Sequence, residues 1–311
     1  MILPQWLQDK VNGLYQALDK KTLVETRENL TNRYKNQTGQ NKSLIESKID
    51  SMLYAISRMP ATFSVVYTLV RDLANQGAIC DVGNVLDVGC GTGAGYFALK
   101  ELDESLEIDL VERDRNMVEI FKTLTDGAVD VNVADASTYV AEKPADLVMT
   151  SYVLSEMTEG VRNRTFENLA KSSNKYVLVI DTGTPKTYAD MMKLKDYARK
   201  IGWNVVAPCM AEKCPLKDDY CQFYARVERS SLHKLAKGGS LSYEDEKYFY
   251  LLFSKDAVNG EGARVIRRPM IKENNISLVL CSKEGVESKT FTKKNKDLFK
   301  KAKKAKINEI I

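Results

Sequence analysis

The sequence predicts an α/β protein with a doubly wound, mostly parallel sheet. Three observations carry this prediction. Short apolar runs alternate with helix-like segments from residue 84 onwards, a glycine-rich turn follows the first run, and 44% of the 311 residues are apolar. A chain of this length and composition can bury a substantial core. Strands that alternate with helices are typical of a parallel sheet covered by helices on both faces.

Residues 1–75 are predicted to form an N-terminal helical region. The segments WLQDKVNGLYQAL and LIESKIDSMLYAISRM repeat apolar residues at spacings of three and four, and the polar stretch 36–42 between them is predicted to be a loop.

The sheet is predicted to begin at Asn84. Its first five strands are expected in NVLDV, LEIDLV, VDVNV, DLVMT and YVLVI, with helices in RNMVEIFKTL, GVRNRTFENLAK and TYADMMKLKDYARKIG. Two later strands are expected in NVVAP and KYFYLLFS. Ligands of such sheets bind at the carboxyl ends of the strands.

These patterns divide the chain beyond residue 75 into three parts. Residues 76–208 and 243–255 form the predicted core, and residues 209–242 form an insertion that contains three of the six cysteines. Residues 256–311 form a C-terminal extension with two strand-like runs, ARVIRRPMI and ISLVLCS, and a basic end.

The composition bounds the class of protein. No stretch approaches the roughly 20 apolar residues that span a bilayer, and the first 20 residues do not resemble a secretory signal. We therefore expect a cytoplasmic protein with no membrane partner, whose cysteines are thiols or metal ligands. Residues 289–306 contain nine lysines and one acid, whereas the whole chain has a net charge of +4. The rest of the chain is therefore net negative.

The glycine-rich turn lies in VLDVGCGTGAG, residues 85–95. Its glycines permit a tight turn that brings backbone N–H groups close to a ligand. The spacing also fits a dinucleotide fingerprint that ends in alanine. Asp87 decides against that alternative, because a carboxylate repels a pyrophosphate but attracts the sulfonium and ammonium groups of S-adenosylmethionine. Asp87, Gly89, Gly91 and Gly93 are therefore predicted to bind S-adenosylmethionine.

Later strand ends supply the other predicted contacts. Glu112 follows the loop by about twenty residues and is placed to accept both ribose hydroxyls. Asp135 and Ala136 are assigned to the adenine, and Asp114 to a helix cap. Ser151 and Tyr152 are expected to face the methyl acceptor, although no catalytic residue is identified.

Four cysteines are candidate metal ligands. Cys209, Cys214 and Cys221 lie in the insertion, and Cys281 is expected to return to them from the C-terminal extension. An all-thiolate set suits an iron–sulfur cluster, whereas zinc usually takes more closely spaced pairs. Spacing leaves both metals open, and buried thiols without a metal remain a third alternative.

Several motifs occur in an order that is typical of a known family. They are RMPATFSVVY, VLDVGCGTGAG, SYVLSEM, RVERSSLHK, GGSLSYEDEKY and LVLCS. Together they resemble the small-ribosomal-subunit assembly family that includes mitochondrial methyltransferase-like protein 17 and its bacterial relatives. The resemblance implies a class I S-adenosylmethionine-dependent methyltransferase fold and a 4Fe–4S cluster on the four cysteines. It departs at Met210, Ala211 and Gln222, where family members often carry proline or histidine.

The resemblance also implies a function in small-subunit assembly. We expect a monomer that binds small-subunit ribosomal RNA, as an RNA methyltransferase or as a non-catalytic factor. A small-molecule methyltransferase is the remaining alternative. If CQFYARVERSSLHKL is a helix, two arginines share one of its faces, and further basic residues complete an RNA surface. The predicted RNA-binding residues are Arg226, Arg229, Arg264, Arg267, Arg268, Lys300, Lys301, Lys303 and Lys304.

Overall fold

The computed structural model describes residues 2–16, 18, 20–37, 44–216, 219–256 and 261–311. The predicted N-terminal helices are confirmed, and the predicted loop lies outside the described residues except where residues 36 and 37 end a helix. No helix within the described ranges is long and apolar enough to cross a membrane. The four N-terminal helices are α1 (Gln5–Tyr15), α2 (Lys20–Gln37), α3 (Lys48–Ser57) and α4 (Met59–Asn75).

Strands and helices alternate from residue 84, as predicted. A short 3-10 helix, Leu154–Glu156, follows the fourth strand. The elements of this region are β1 (Asn84–Val88), α5 (Ala94–Leu102), β2 (Glu107–Glu112), α6 (Arg115–Leu124), β3 (Asn132–Val133), β4 (Ala145–Ser151), α7 (Glu159–Lys171), β5 (Ser173–Thr182), α8 (Pro185–Lys200), β6 (Asn204–Ala207), β7 (Phe223–Glu228), α9 (Ser231–Lys237) and β8 (Tyr243–Ser254).

The eight strands form one sheet in the order β3–β2–β1–β4–β5–β8–β6, and β7 pairs with β8. Strands β1 to β5 run parallel to one another, whereas β8 runs antiparallel to β5, β6 and β7. This order, with one antiparallel strand between the fifth strand and the edge, is that of class I methyltransferases. The expected fold class is therefore confirmed.

The position of β1 explains its apolar sequence. It pairs with β2 on one side and β4 on the other, and Val85, Leu86 and Val88 are each 1% exposed. A central parallel strand is covered on both faces and so reads as a continuous apolar run. Its carboxyl end, where Asp87 lies, meets the ends of β2 and β4.

One element differs from the prediction. The segment CQFYARVERSSLHKL contains a strand, β7, followed by the short helix α9, not a single helix. Phe223, Ala225 and Val227 alternate with more exposed residues and are buried when β7 pairs with the first half of β8. Part of the predicted insertion therefore belongs to the main sheet.

The C-terminal extension forms a second, four-stranded antiparallel sheet around β11. Apolar residues of β9 and β11, including Val265 and Leu278, form a small core with Ala302 of the last helix. The elements are β9 (Arg264–Val265), β10 (Met270–Ile271), β11 (Asn275–Cys281), β12 (Val286–Thr292) and α10 (Lys296–Lys304).

Arg264 joins this extension to the rest of the molecule. Its side chain is 1% exposed and donates to the carbonyl oxygen of Pro208 at 2.9 Å and to Gln76 Oε1 at 3.0 Å. It also donates to the carbonyl oxygen of Asn308 at 2.7 Å. Asn308 in turn accepts from the hydroxyl of Tyr250, on β8, at 2.7 Å. The guanidinium therefore links α4, the end of β6 and the C-terminus.

We predict that Arg264→Ala lowers the free energy of unfolding by about 3 kcal/mol, because it leaves several buried acceptors without a donor. Arg268→Ala is the matched control, since this arginine is exposed and its loss should cost about 1 kcal/mol or less. Urea unfolding of both variants measures the difference. Equal effects would contradict the structural role of Arg264.

Candidate functional site

A cavity of about 220 Å³ opens at the carboxyl ends of β1, β2 and β4. This is the edge at which parallel sheets bind their ligands. Seven of the residues predicted from the sequence line it: Gly89, Gly91, Glu112, Asp135, Ala136, Ser151 and Tyr152.

Two glycines of the loop, Gly89 and Gly93, lie too close to neighbouring residues to carry a side chain. Gly89 has φ +81°, and a Cβ there would overlap the side chain of Val153. Gly93 has φ +88°, and a Cβ there would overlap the ring of Phe121 on α6. Gly89 thus shapes the cavity wall, whereas Gly93, which was predicted to bind the cofactor, allows α5 and α6 to pack.

Asp87 is completely buried, and it lies against the first turn of α5 without lining the cavity. Neither carboxylate oxygen has a hydrogen-bond partner among the described residues. Burial raises the pKa of Asp87 to about 7, and the negative charge of Glu112 contributes to the rise. The ionised form is therefore unfavourable unless a cation comes close.

Glu112 ends β2 and supports the loop from the side. Its Oε2 accepts from the backbone N–H of Gly91 at 2.9 Å, and its Oε1 accepts from that of Asp114 at 2.8 Å. Burial raises the pKa of Glu112 despite these bonds. A carboxylate offers about four acceptor positions, so two remain for a ligand. Asp114 caps α6, as predicted, by accepting from two backbone N–H groups.

Asp135 is more fully engaged than the sequence suggests. Its Oδ1 accepts from the backbone N–H and the hydroxyl of Ser137 at 2.8 and 2.6 Å, and its Oδ2 pairs with Arg113 at 3.4 Å. Burial opposes its ionisation, but these partners outweigh burial and hold the pKa of Asp135 below its usual value. The carboxylate therefore serves mainly to order the cavity wall beside Ala136.

Tyr152 follows β4 in a strained conformation, with φ +60°. Its backbone N–H donates to the carbonyl oxygen of Ile180 at 2.8 Å, and the guanidinium of Arg58 lies 5.6 Å from its ring centroid. The hydroxyl is buried and has no partner in the described part of the chain, and burial raises its pKa. Non-glycine residues in this backbone region cluster at functional sites.

Glu156 was not identified from the sequence. It lies in the 3-10 helix after β4 and lines the cavity. Burial raises its pKa to about 8; the positive charge of Arg113 opposes the rise, whereas the negative charges of Asp181 and Glu112 add to it. Its position could have indicated a role, because it lies five residues beyond the end of β4, whose carboxyl end faces the cavity.

The N-terminal helices supply two further lining residues that the sequence analysis missed, Tyr34 of α2 and Tyr54 of α3. Burial raises the pKa of both phenols. Nothing in their local sequence distinguishes them from ordinary helix residues, because only the packing of α3 against α6 brings these helices to the sheet edge.

The four predicted cysteine ligands lie in one region. Burial raises the pKa of Cys221, and the neighbouring Cys209, Cys214 and Cys281 raise it further. The hydroxyl of Tyr188 lies 2.9 Å from Cys214 Sγ. Across the described ranges, however, no group of three or more histidine, cysteine or acidic side chains is arranged to hold a metal ion. The donor set suits a metal, but its geometry is not that of a closed site.

The structure changes the prediction for the five arginines of the RNA surface. One of them is buried, and the other four are paired with acidic residues. Arg264 is buried and bonded within the protein, so it cannot face RNA. The other arginines form ion pairs: Arg226 and Arg268 with Asp245, Arg229 with Glu244, and Arg267 with Asp219. Arg226 lies on β7 and Arg229 one residue beyond its end, so the two do not share one face of a helix as expected.

The four predicted lysines of α10 are exposed. The helix buries Ala302 in the second core and presents Lys300, Lys301, Lys303 and Lys304 to solvent. None of the four forms an ion pair within the part of the chain that the structure describes. This helix is therefore a free cationic surface.

The residues around the cavity fit S-adenosylmethionine. The buried carboxylate of Asp87, which has no partner among the described residues, would be relieved by the ligand's positive charge, and the open space at Gly91 would admit the ligand. Glu112 retains acceptor capacity for ribose hydroxyls.

We predict that Asp87→Asn stabilises the protein without ligand above pH 7. Because the pKa of Asp87 is raised, Asp87 does not lower the free energy of unfolding of the wild type below about pH 4. This free energy falls as pH rises from about 4 to 7, and above pH 7 the full cost of ionising Asp87 applies. The variant should gain about 1 to 4 kcal/mol at pH 8 and little at pH 4.5. Urea unfolding at both pH values measures this.

Asp109→Asn is the matched control, because it makes the same change at an exposed position of the neighbouring strand β2. A gain at pH 8 that both variants share, or no gain in either, would contradict the penalty assigned to Asp87.

Comparison with solved structures finds weak similarities to methyltransferases. One is magnesium protoporphyrin IX methyltransferase from Synechocystis PCC 6803, at 13% identity, covering 77% of this chain and 98% of that one, with a TM-score of 0.42. Another is N-methyltransferase NodS from Bradyrhizobium japonicum, at 11% identity, covering 61% and 85%, with a TM-score of 0.39. Such values bear on neither substrate nor reaction.

A search of curated proteins finds no match. The sequence profile of the family described as mitochondrial small ribosomal subunit Rsm22 matches residues 48–309, which is most of the chain. The match confirms the resemblance drawn from the ordered motifs. It spans the glycine loop, all four clustered cysteines and the basic helix. The chain therefore belongs to the Rsm22 family.

Proposed function

We propose that this protein binds S-adenosylmethionine and acts on small-subunit ribosomal RNA during ribosome assembly, as an RNA methyltransferase. The observation that carries the proposal is the buried carboxylate of Asp87, without a partner among the described residues, beside a glycine loop and a cavity at the carboxyl edge of the sheet. The name of the Rsm22 family supports the ribosomal context.

S-adenosylmethionine supplies an activated methyl group. Asp87 would balance its positive end, and Glu112 would accept from its ribose hydroxyls while it keeps the bonds to the backbone of the loop. Ala136, which lines the cavity beside Asp135, would contact the adenine. Methyl transfer can proceed mainly by holding the reactants together, so Ser151 and Tyr152 need only position the acceptor.

The lysines of α10 would bind the phosphate backbone. Clustered lysines release counterions from RNA without reading its sequence. The paired arginines contribute less, because each would first have to leave its carboxylate.

We predict that Glu112→Gln weakens S-adenosylmethionine binding by about 1.5 to 3 kcal/mol, or roughly 10- to 150-fold. The amide cannot accept on both sides, so it loses bonds to the ribose or to the loop. Isothermal titration calorimetry measures the effect, with Glu119→Gln on the exposed face of α6 as the control. Equal affinities in both variants would remove Glu112 from the cofactor site.

We predict that replacing Lys300, Lys301, Lys303 and Lys304 with glutamine reduces the slope of log affinity against log salt by about 3 in binding to small-subunit RNA. The control replaces four other exposed lysines, Lys122, Lys143, Lys171 and Lys200. If both sets lower the slope equally, α10 has no special part in RNA binding.

We further propose that the clustered cysteines Cys209, Cys214, Cys221 and Cys281 hold a 4Fe–4S cluster, with zinc as the alternative. Support comes from the all-thiolate donor set in one region and from the family resemblance. The described cysteines are not arranged to hold a metal ion, so binding one would require them to rearrange.

Anaerobic purification followed by iron, sulfide and zinc analysis tests this proposal. We expect about four iron atoms per chain, and their loss in Cys281→Ser but not in Cys80→Ser, since Cys80 is exposed and outside the cluster. One zinc atom per chain would establish the alternative, and no metal would overturn both.

The methyltransferase function is tested by transfer of a radiolabelled methyl group to purified immature small subunits. We expect label in the RNA with wild type and little with Glu112→Gln. Tight S-adenosylmethionine and RNA binding without any label would favour a non-catalytic assembly factor. Label in a small metabolite alone would favour a small-molecule enzyme.

A further inference from the structure

We infer that one end of the cavity receives a single extruded nucleobase, and that Glu156 recognises its amidine edge, in which an amino group stands beside an unprotonated ring nitrogen. Adenine and cytosine have such an edge. We call this region the tyrosine end, defined by Tyr34, Tyr54, Tyr152 and Glu156. The inference rests on the proposed function, because it names the chemical class of the substrate at that site.

The tyrosine end is built from three separate parts of the chain. Tyr34 comes from α2, Tyr54 from α3 and Tyr152 from the end of β4, and all three line the same cavity. Nucleobases bind to proteins by stacking on such aromatic side chains. A base stacked in a helix cannot reach into a cavity, so it must leave its stack and enter alone.

The backbone around Glu156 is fixed on both sides. The N–H of Ser155 donates to Asp181 Oδ2 at 2.9 Å. The buried Arg162 donates to the carbonyl oxygens of Leu154 at 3.2 Å and Met157 at 3.0 Å. These bonds fix the backbone of the 3-10 helix. The side chain of Glu156 is the part of this helix that lines the cavity.

The carboxyl group of Glu156 is available for a ligand. It forms no hydrogen bond or ion pair with any of the described residues, although it lies at the cavity wall. Tyr152, at the same end, has a buried hydroxyl that also lacks a described partner. Two polar groups without described partners at one end of a cavity indicate a polar ligand.

The charges around Glu156 determine what it can recognise. Among the described residues, the positive charge of Arg113 favours its ionisation, whereas Asp181 and Glu112 oppose it, and Tyr34 and Tyr54 are neutral neighbours. Burial and two nearby carboxylates raise the pKa of Glu156 and so favour its protonated form near pH 7. A neutral carboxyl group donates one hydrogen bond and accepts one, which complements a ring nitrogen beside an amino group.

The test uses the full chain loaded with S-adenosylhomocysteine and four probes, the 5′-monophosphates of adenosine, cytidine, guanosine and uridine. Phosphate contacts to surface lysines are common to all four, so differences report on the base. Dissociation constants come from saturation-transfer NMR at pH 7. The variants are Glu156→Leu, Glu156→Gln, which keeps one donor and one acceptor, and Glu159→Gln, an exposed control on α7.

We expect wild type, Glu156→Gln and Glu159→Gln to bind the adenosine and cytidine nucleotides about 10- to 100-fold more tightly than the other two. Glu156→Leu should lose this preference while its affinity for S-adenosylhomocysteine, measured by calorimetry, stays within about twofold. The retained cofactor affinity, together with the behaviour of Glu156→Gln, separates recognition from misfolding.

Binding of S-adenosylhomocysteine without any base preference in wild type would overturn this inference and leave the proposed function intact. So would a preference that survives in Glu156→Leu. Failure of wild type to bind S-adenosylhomocysteine would instead remove the proposed function, and the inference with it.

Discussion

The buried carboxylate of Asp87 is the constraint around which the rest of the site is organised. It stands near the end of the central strand, where burial and the charge of Glu112 both oppose its ionisation. An apolar residue there would pack at lower cost in the folded protein. A bound cation would relieve this cost, which agrees with the proposed role of Asp87 beside the positive end of S-adenosylmethionine.

The N-terminal helices and the C-terminal extension position the other functional side chains around Asp87. Helices α2 and α3 bring tyrosines over the strand ends, so the cavity has an aromatic end as well as an acidic one. Arg264 ties the second sheet to α4 and to the end of β6, close to the clustered cysteines. The lysines of α10 are thereby held on a folded unit that is anchored to the core.

Much of this architecture could be predicted because it depends on local pattern. The alternation of strands and helices, the glycine loop and the cap at Asp114 each leave a signature within a few residues. The segment that contains β7 was misjudged because a short run with apolar residues at mixed spacing fits both a helix and an edge strand. Only its pairing with β8 decides the matter.

The errors in the site have a different cause. Arg264 looked like its neighbours Arg267 and Arg268, since sequence does not reveal that buried carbonyl oxygens from three distant segments converge on it. Asp135 is predicted to contact the adenine from its place at a strand end, but its bonds to Ser137 and Arg113 depend on the folded loop. Glu156, Tyr34 and Tyr54 were missed because their role arises from long-range packing.

The most direct test of the account is the number of protons released when S-adenosylmethionine binds at pH 7, measured by calorimetry in buffers of different ionisation enthalpy. Asp87, with a pKa of about 7, is about half protonated before binding and should become ionised beside the cation. Wild type should therefore release about half a proton more than Asp87→Asn. Equal proton release by the two proteins would contradict the central role of this carboxylate.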